Sequence, residues 1–218
     1  PNQWVAYSHH RFVEGLRGGT LPRAAYLHYL VQDYVFLIHF ARAWSLAVVK
    51  AETLEEMKVC ATTVDALVNH EMALHVKTCA AEGIDEETLF AAREEVENLA
   101  YTRYVMDAGV QGDFLDLMAA LAPCAFGYGE IGLRLAATAE PDTPYADWIK
   151  TYSDPEYQSV MARVGDMIDG AVRLVFRCLA AMPRRETSCL VLSGLPSRPG
   201  SGPAFWALPA LGNPHCCA

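Results

Sequence analysis

PRAAYLHYLVQDYVFLIHFARAWSLAVVK, residues 22–50, is the stretch that decides the fold. Tyr26, Leu30, Leu37, Phe40 and Trp44 return at the three- and four-residue steps of an α-helix, and no strand-like alternation competes. Pro22 sits where a first helical turn tolerates a missing N–H. The segment therefore predicts one long, heavily buried helix. Asp33 lies on the same stripe, embedded among aromatic and aliphatic neighbours. A carboxylate in such surroundings is expensive unless it is hydrogen-bonded or paired. It is either tied to a tyrosine or to a donor on another helix, or kept to hold a polar ligand.

Working outward, Thr53 and Glu56 have the spacing of a capping box. They predict a second helix through Met57, Val64, Leu67, Glu71, Leu74 and His75 that stops at Glu82-Gly83-Ile84 and packs antiparallel to the first. A third helix is expected over about 88–108. A fourth starts near Asp113 and carries Leu117, Leu121, Cys124, Tyr128, Ile131 and Leu135 on one side, with Pro123 expected to kink it. After a turn over 140–144, a short helix over 145–152 and a last one from Asp154-Pro155 to about Ala181 complete an all-α chain. Six of the twelve prolines fall in the last 36 residues, so 183–218 is expected to be an irregular tail on a helical domain of residues 1–182.

The 218 residues suit a single domain with room for a core and a pocket. A net charge of -9 argues against a nucleic-acid partner, which calls for a basic stripe. No window approaches the roughly 18 uninterrupted apolar residues of a membrane span, and no secretory signal is visible near Trp4, His9 and His10. A soluble, cytoplasmic protein is expected. The seven cysteines are scattered without zinc or disulfide spacing and read as reduced thiols.

Three constellations carry chemistry. Cys124 and Tyr128 stand one helical turn apart beside Pro123, so they can share a pocket in which hydroxyl donors favour a thiolate; a buried core cysteine is the plainer reading. Glu71 and His75 have the i, i+4 spacing of metal ligands, yet no second Glu-x-x-His copy accompanies them, and a hydrogen-bonded core pair is the better reading. Asp33 is the third. Tyr101, Tyr104, Phe126 and Tyr152 suit core packing or a stacking slot for a flat heterocycle.

Gln32-Asp33 with His39-Phe40-Ala41, Glu71-x-x-x-His75 before Glu82-Gly83-Ile84, Tyr101-Thr102 before Pro123-Cys124-x-x-x-Tyr128, and Trp148-Ile149-x-x-Tyr152 together resemble the TenA (thiaminase II) family over roughly residues 1–180. The resemblance implies a haem-oxygenase-like helical bundle without haem, a homotetramer, no cofactor and no metal. It implies hydrolysis of an aminopyrimidine to hydroxymethylpyrimidine in thiamin salvage, with thiamin cleavage as a side activity. Asp33 would grip the ring nitrogen and exocyclic amine through paired hydrogen bonds. Cys124 would be the nucleophile, Tyr128 a substrate contact, and Tyr101 and Tyr152 pocket aromatics. Two departures stand out. Phe36 replaces a tyrosine that in many members hydrogen-bonds the thiol. The family's C-terminal Glu-x-x-Phe-Trp has here only Phe205-Trp206, with Gly202 where the glutamate belongs and Glu186 as the one tail carboxylate to substitute. Two other functions are compatible with these residues: a metal-dependent oxygenase using Glu71, His75 and His39, and a pyrimidine-binding protein without turnover.

Overall fold

Residues 23–50 form one uninterrupted helix in the computed structural model, which describes residues 2–181. The tail, with Glu186, Phe205 and Trp206, lies outside the described residues. In chain order the elements are α1 (Asn2–Ser8), α2 (Arg11–Arg17), α3 (Arg23–Lys50), α4 (Leu54–Ala66), a π-turn (Leu67–Glu71), α5 (Met72–Ala81), α6 (Glu86–Phe90), α7 (Val96–Gln111), α8 (Phe114–Thr138), α9 (Ala146–Ser153) and α10 (Pro155–Ala181). Among the described residues there is no strand.

The centre is α3, packed against α4, α5, α7 and α8, with buried residues from Tyr26 to Ala47 on nearly every side. A helix apolar all round belongs inside a bundle, and that is where it lies. The capping box at Thr53 is present. Its hydroxyl accepts from Glu56 N at 3.2 Å, and Glu56 Oε2 accepts from Thr53 N at 2.9 Å. Gly83 closes α5 with φ of 80°, a left-handed conformation that glycine adopts without steric cost.

The expected single helix over 88–108 is two helices, α6 and α7, with an extended break between them. The cause is tertiary. The buried Gln32 amide donates to Arg93 O and accepts from Glu95 N, both at 3.0 Å, while Asn98 Nδ2 donates to Gln32 O at 2.9 Å. An inward amide on α3 thus captures the backbone that a continuous helix would have bonded to itself. Two further helices, α1 and α2, precede α3 and were not foreseen. Trp4 Nε1 on α1 donates to both oxygens of Glu130 at 3.0 Å, laying α1 along α8.

The helix α8 runs through Pro123 and opens with a second capping box, Asp113 with Asp116. By length and composition it is apolar enough to cross a membrane, but 61% of its most apolar window is buried inside the bundle, which marks it as the second core helix. It packs against α7, α9 and α10. The contact with α9 is close because Gly132 has no side chain: a Cβ there would stand 2.5 Å from the Tyr152 carbonyl carbon. Gln158 at the start of α10 donates to Gly129 O at 3.1 Å and Tyr152 O at 2.7 Å, fastening all three helices at this point.

A Gly132→Ala substitution meets backbone that cannot swing aside, whereas a Cβ on Gly170 of α10 meets nothing within 4 Å. Thermal and denaturant unfolding should therefore show Gly132→Ala destabilised by about 1–3 kcal/mol or more. Gly170→Ala should gain up to about 1 kcal/mol from helix propensity alone.

Candidate active site

Asp33 lies halfway along α3 with 1% of its surface exposed. Its Oδ2 accepts from Tyr29 Oη at 3.0 Å and from His75 Nε2 at 2.7 Å, and its Oδ1 accepts a longer bond from Tyr128 Oη at 3.4 Å. The Tyr29 and Tyr128 hydroxyls meet at 3.3 Å, and Trp148 Nε1 donates to Tyr29 Oη at 3.2 Å. Helices α3, α5, α8 and α9 thus converge on one carboxylate. Of the two readings left open for Asp33, the tie to tyrosines and another helix's donor is present; the longer contact at Oδ1 leaves that oxygen the readier to take a ligand's hydrogen bond.

His75 is not paired with the side chain of Glu71, as a core pair would have it. Its Nδ1 bonds the Glu71 backbone carbonyl at 2.9 Å while Nε2 faces Asp33, so both ring nitrogens meet acceptors. An imidazolium, with two N–H donors, satisfies both. Burial works against that charge, but the hydrogen bond and charge of Asp33, reinforced by Glu71, carry the His75 pKa up to about 9. The Glu71 carboxyl reaches elsewhere and accepts from Tyr152 Oη at 2.7 Å. Burial first, and the Asp33 charge second, push its pKa above the ordinary value, against the opposing pull of His75 and Tyr152.

Cys124 is buried on α8 one turn before Tyr128. Three tyrosine hydroxyls donate to the backbone around it: Tyr101 to Ala120 O at 3.1 Å, Tyr7 to Pro123 O at 3.4 Å and Tyr157 to Ala125 O at 3.3 Å. The thiolate expected at this position is not the resting form. Burial, and then the charges of Asp33 and Glu71, raise the thiol pKa well above the cysteine range, which favours the neutral S–H.

The other expected site residues divide. Tyr152 packs on Tyr128 with ring centroids 4.7 Å apart and on Trp148 at 4.6 Å. Phe36 stacks on Tyr101 at 5.8 Å with the planes 11° apart, forming an apolar wall. Tyr104 is exposed, and Phe126 turns toward Gly165 of α10. His39 lies apart at the α3–α7 face, its Nε2 3.1 Å from Glu94. With His39 there and His75 on Asp33, the ligand set of the oxygenase reading is not assembled, and among the described residues no three His, Cys, Asp or Glu side chains are placed to hold a metal ion. Tyr29, Tyr7 and Tyr157 were missed. Tyr29 was legible as the i−4 neighbour of Asp33; Tyr7 belongs to a helix that sequence reasoning did not find.

A cleft of about 130 Å³ reaches the edge of the cluster, lined by Arg23, Tyr26 and Tyr145 together with His75, Trp148 and Tyr152. Neither Asp33 nor Cys124 lines it; both sit deeper.

Fold and site define a class of protein, an all-helical bundle whose core encloses a thiol, two carboxyl groups, an imidazole and several tyrosines. The chain belongs to the TENA/THI-4/PQQC family, whose model matches residues 2–176. An uncharacterised protein of Haemophilus influenzae is 38% identical over 167 residues, 76% of this chain and 77% of that one. The aminopyrimidine aminohydrolase of Halalkalibacterium halodurans is 34% identical over 168 residues, 76% of this chain and 75% of that one. The crystal structure of a TenA family transcription regulator from Silicibacter sp. TM1040 superposes with a TM-score of 0.77 at 58% identity, covering 84% of this chain and 81% of that chain.

Because the His75 pKa is raised in the folded state, the ion pair contributes stability that is full below the unfolded pKa of about 6.5 and is lost as pH climbs through about 9. NMR of the His75 ring should give a titration midpoint near 9. The unfolding free energy of wild type should fall from pH 7 to 10 by on the order of 3 kcal/mol more than that of His75→Gln. A His75 midpoint below 7 would contradict the charged pair.

Proposed function

We propose that this protein hydrolyses an aminopyrimidine, replacing the amine on the methylene of 4-amino-5-aminomethyl-2-methylpyrimidine with a hydroxyl, in thiamin salvage, and that it cleaves thiamin as a side activity. The observation that carries this reading is that Tyr128, whose hydroxyl bonds Asp33, stands one helical turn from the buried Cys124 on α8, close enough for the Asp33 charge to act on the thiol. The name of the Halalkalibacterium relative supports the same chemistry.

On this reading Oδ1 of Asp33, which among the described residues has the longer Tyr128 contact alone, takes the exocyclic amine and ring nitrogen of the pyrimidine, while Oδ2 stays on His75 and Tyr29. The His75 imidazolium pairs with Asp33, and the carboxylate in turn favours a protonated ring. That proton comes, in net balance, from the Cys124 S–H. A ring cation next to Asp33 cancels part of the field that keeps the thiol neutral, so binding and activation of the nucleophile are one event. The sulfur adds to a ring carbon, and the electron pair of the methylene C–N bond leaves with the departing group. Water adds to the exposed methylene carbon, and the ring regains aromaticity by expelling the thiolate. Phe36 and Tyr101 bound the slot on its apolar side.

Incubation with the aminomethylpyrimidine and, separately, with thiamin tests this. Cys124→Ser should lose about 10³-fold or more in kcat on both, as loss of a nucleophile does. Asp33→Asn should lose at least about 10²-fold, chiefly in kcat, because it neither promotes ring protonation nor pairs with His75. Rates equal to wild type in Cys124→Ser would remove the nucleophile from the mechanism.

A further inference from the structure

Among the described residues two carboxyl groups act on the Cys124 thiol, and they are held differently. Asp33 is bound to His75, Tyr29 and Tyr128 and serves the ring. Glu71 approaches from another side, its Oε1 on the Tyr152 hydroxyl, and Tyr152 is itself packed against Tyr128.

The backbone makes a specific accommodation to place it there. Glu56, Cys60, Thr63, Leu67, His75 and Cys79 are the buried residues of α4, the π-turn and α5, and from Thr63 to Cys79 their stripe, with Glu71 on it, runs at steps of four. Steps of four overshoot an α-helical turn by about 40° each, so the stripe would wind off the core within a few turns. The π-turn, closed by Met72 N to Leu67 O, winds more slowly and brings the face back. Glu71 and His75 then point inward together. Without the turn, a carboxyl at this position would have rotated toward water, where it needs no tyrosine.

Aminopyrimidine hydrolysis has a requirement that neither Cys124 nor Asp33 meets. The methylene amine cannot leave as an amide anion; it needs a proton to depart as ammonia, and the incoming water must lose one. Resting on the hydrolase reading above, we propose that Glu71 supplies the first proton and accepts the second. The cycle balances. The carboxylic acid gives its proton to the amine as the C–N bond breaks and ammonia departs. The resulting carboxylate takes a proton from water as the new C–O bond forms, which regenerates the acid. Burial and Asp33 keep Glu71 protonated to higher pH than an exposed glutamate, which suits the role. The groups that face it are Asp33, His75 and Tyr152, and its own charge acts on Cys124 and Tyr157.

Thiamin separates this from a structural role, because its leaving group is a cationic thiazolium that departs as neutral thiazole and needs no proton. In Glu71→Gln, which keeps an acceptor for Tyr152, kcat/KM on the aminomethylpyrimidine should fall about 10²- to 10⁴-fold. The fall on thiamin should be at least tenfold smaller, and Glu71→Asp should restore part of the amine activity. Tyr152→Phe is the second variant. Removing the hydroxyl that stabilises the carboxylate raises the Glu71 pKa further, so the alkaline limb of the amine profile should move to higher pH while the thiamin profile lacks that movement. Equal losses on both substrates in Glu71→Gln, no loss, or an unmoved amine profile in Tyr152→Phe would each overturn the assignment. If wild type turns over neither substrate, the hydrolase reading itself fails. If wild type is active and Cys124→Ser is not, the fate of Glu71 is decided on its own.

Discussion

The pairing of Asp33 with His75 is the constraint around which the rest of the bundle is arranged. A carboxylate 1% exposed at the middle of the central helix loses hydration worth several kcal/mol, and Coulomb attraction repays this only with close geometry and further hydrogen bonds. Both conditions are met here. The 2.7 Å contact supplies a countercharge, Tyr29 adds a donor to the same oxygen, and the far side of the imidazole is held by the Glu71 carbonyl. Each of these partners comes from a position that must be maintained by the surrounding helices. His75 depends on the winding of the π-turn; Trp148, which donates to Tyr29, depends on the close approach of α9 to α8 at Gly132. A charge at the centre therefore specifies where four helices sit, more sharply than apolar packing alone would.

Much of this was legible in residue spacing, and the limits have physical causes. The apolar stripe of 22–50, the capping box at Thr53, the helix start near Asp113 and the glycine stop at Gly83 are local signals, and the corresponding helices form. The break between α6 and α7 is not local. It exists because an amide from α3, 61 and 63 residues earlier in the chain, competes for the backbone at Arg93 and Glu95. The short helices α1 and α2 carry too few turns to show a period, so Tyr7 could not be foreseen beside Cys124. At the site, Asp33, Cys124 and Tyr128 were marked by chemistry that is costly or reactive wherever it is buried. The spacing of Glu71 and His75 suggested a pair, but i, i+4 geometry says only that two residues share a face; it does not say that they face different partners across it.

The protonation of the thiol has consequences for how such a pocket selects its ligand. Two carboxyl groups near a buried sulfur are the opposite of the electropositive setting that lowers a cysteine pKa. Nor does Phe36 offer the sulfur a hydroxyl. This protects the cysteine, because a neutral buried thiol is a poor nucleophile toward stray electrophiles and oxidants. The same field favours any ligand that can become a cation between Asp33 and Cys124. An aminopyrimidine is such a ligand, since its ring nitrogen is basic and stands next to the amine that a carboxylate grips. A neutral heterocycle of equal shape would find the hydrogen bonds but could not offset the Asp33 charge, and the sulfur beside it would stay protonated. On the proposed reading, selectivity and nucleophile activation share one electrostatic cause: the buried Asp33 carboxylate acts on both the ring and the thiol, and only a substrate able to accept a proton there turns the thiol into a thiolate.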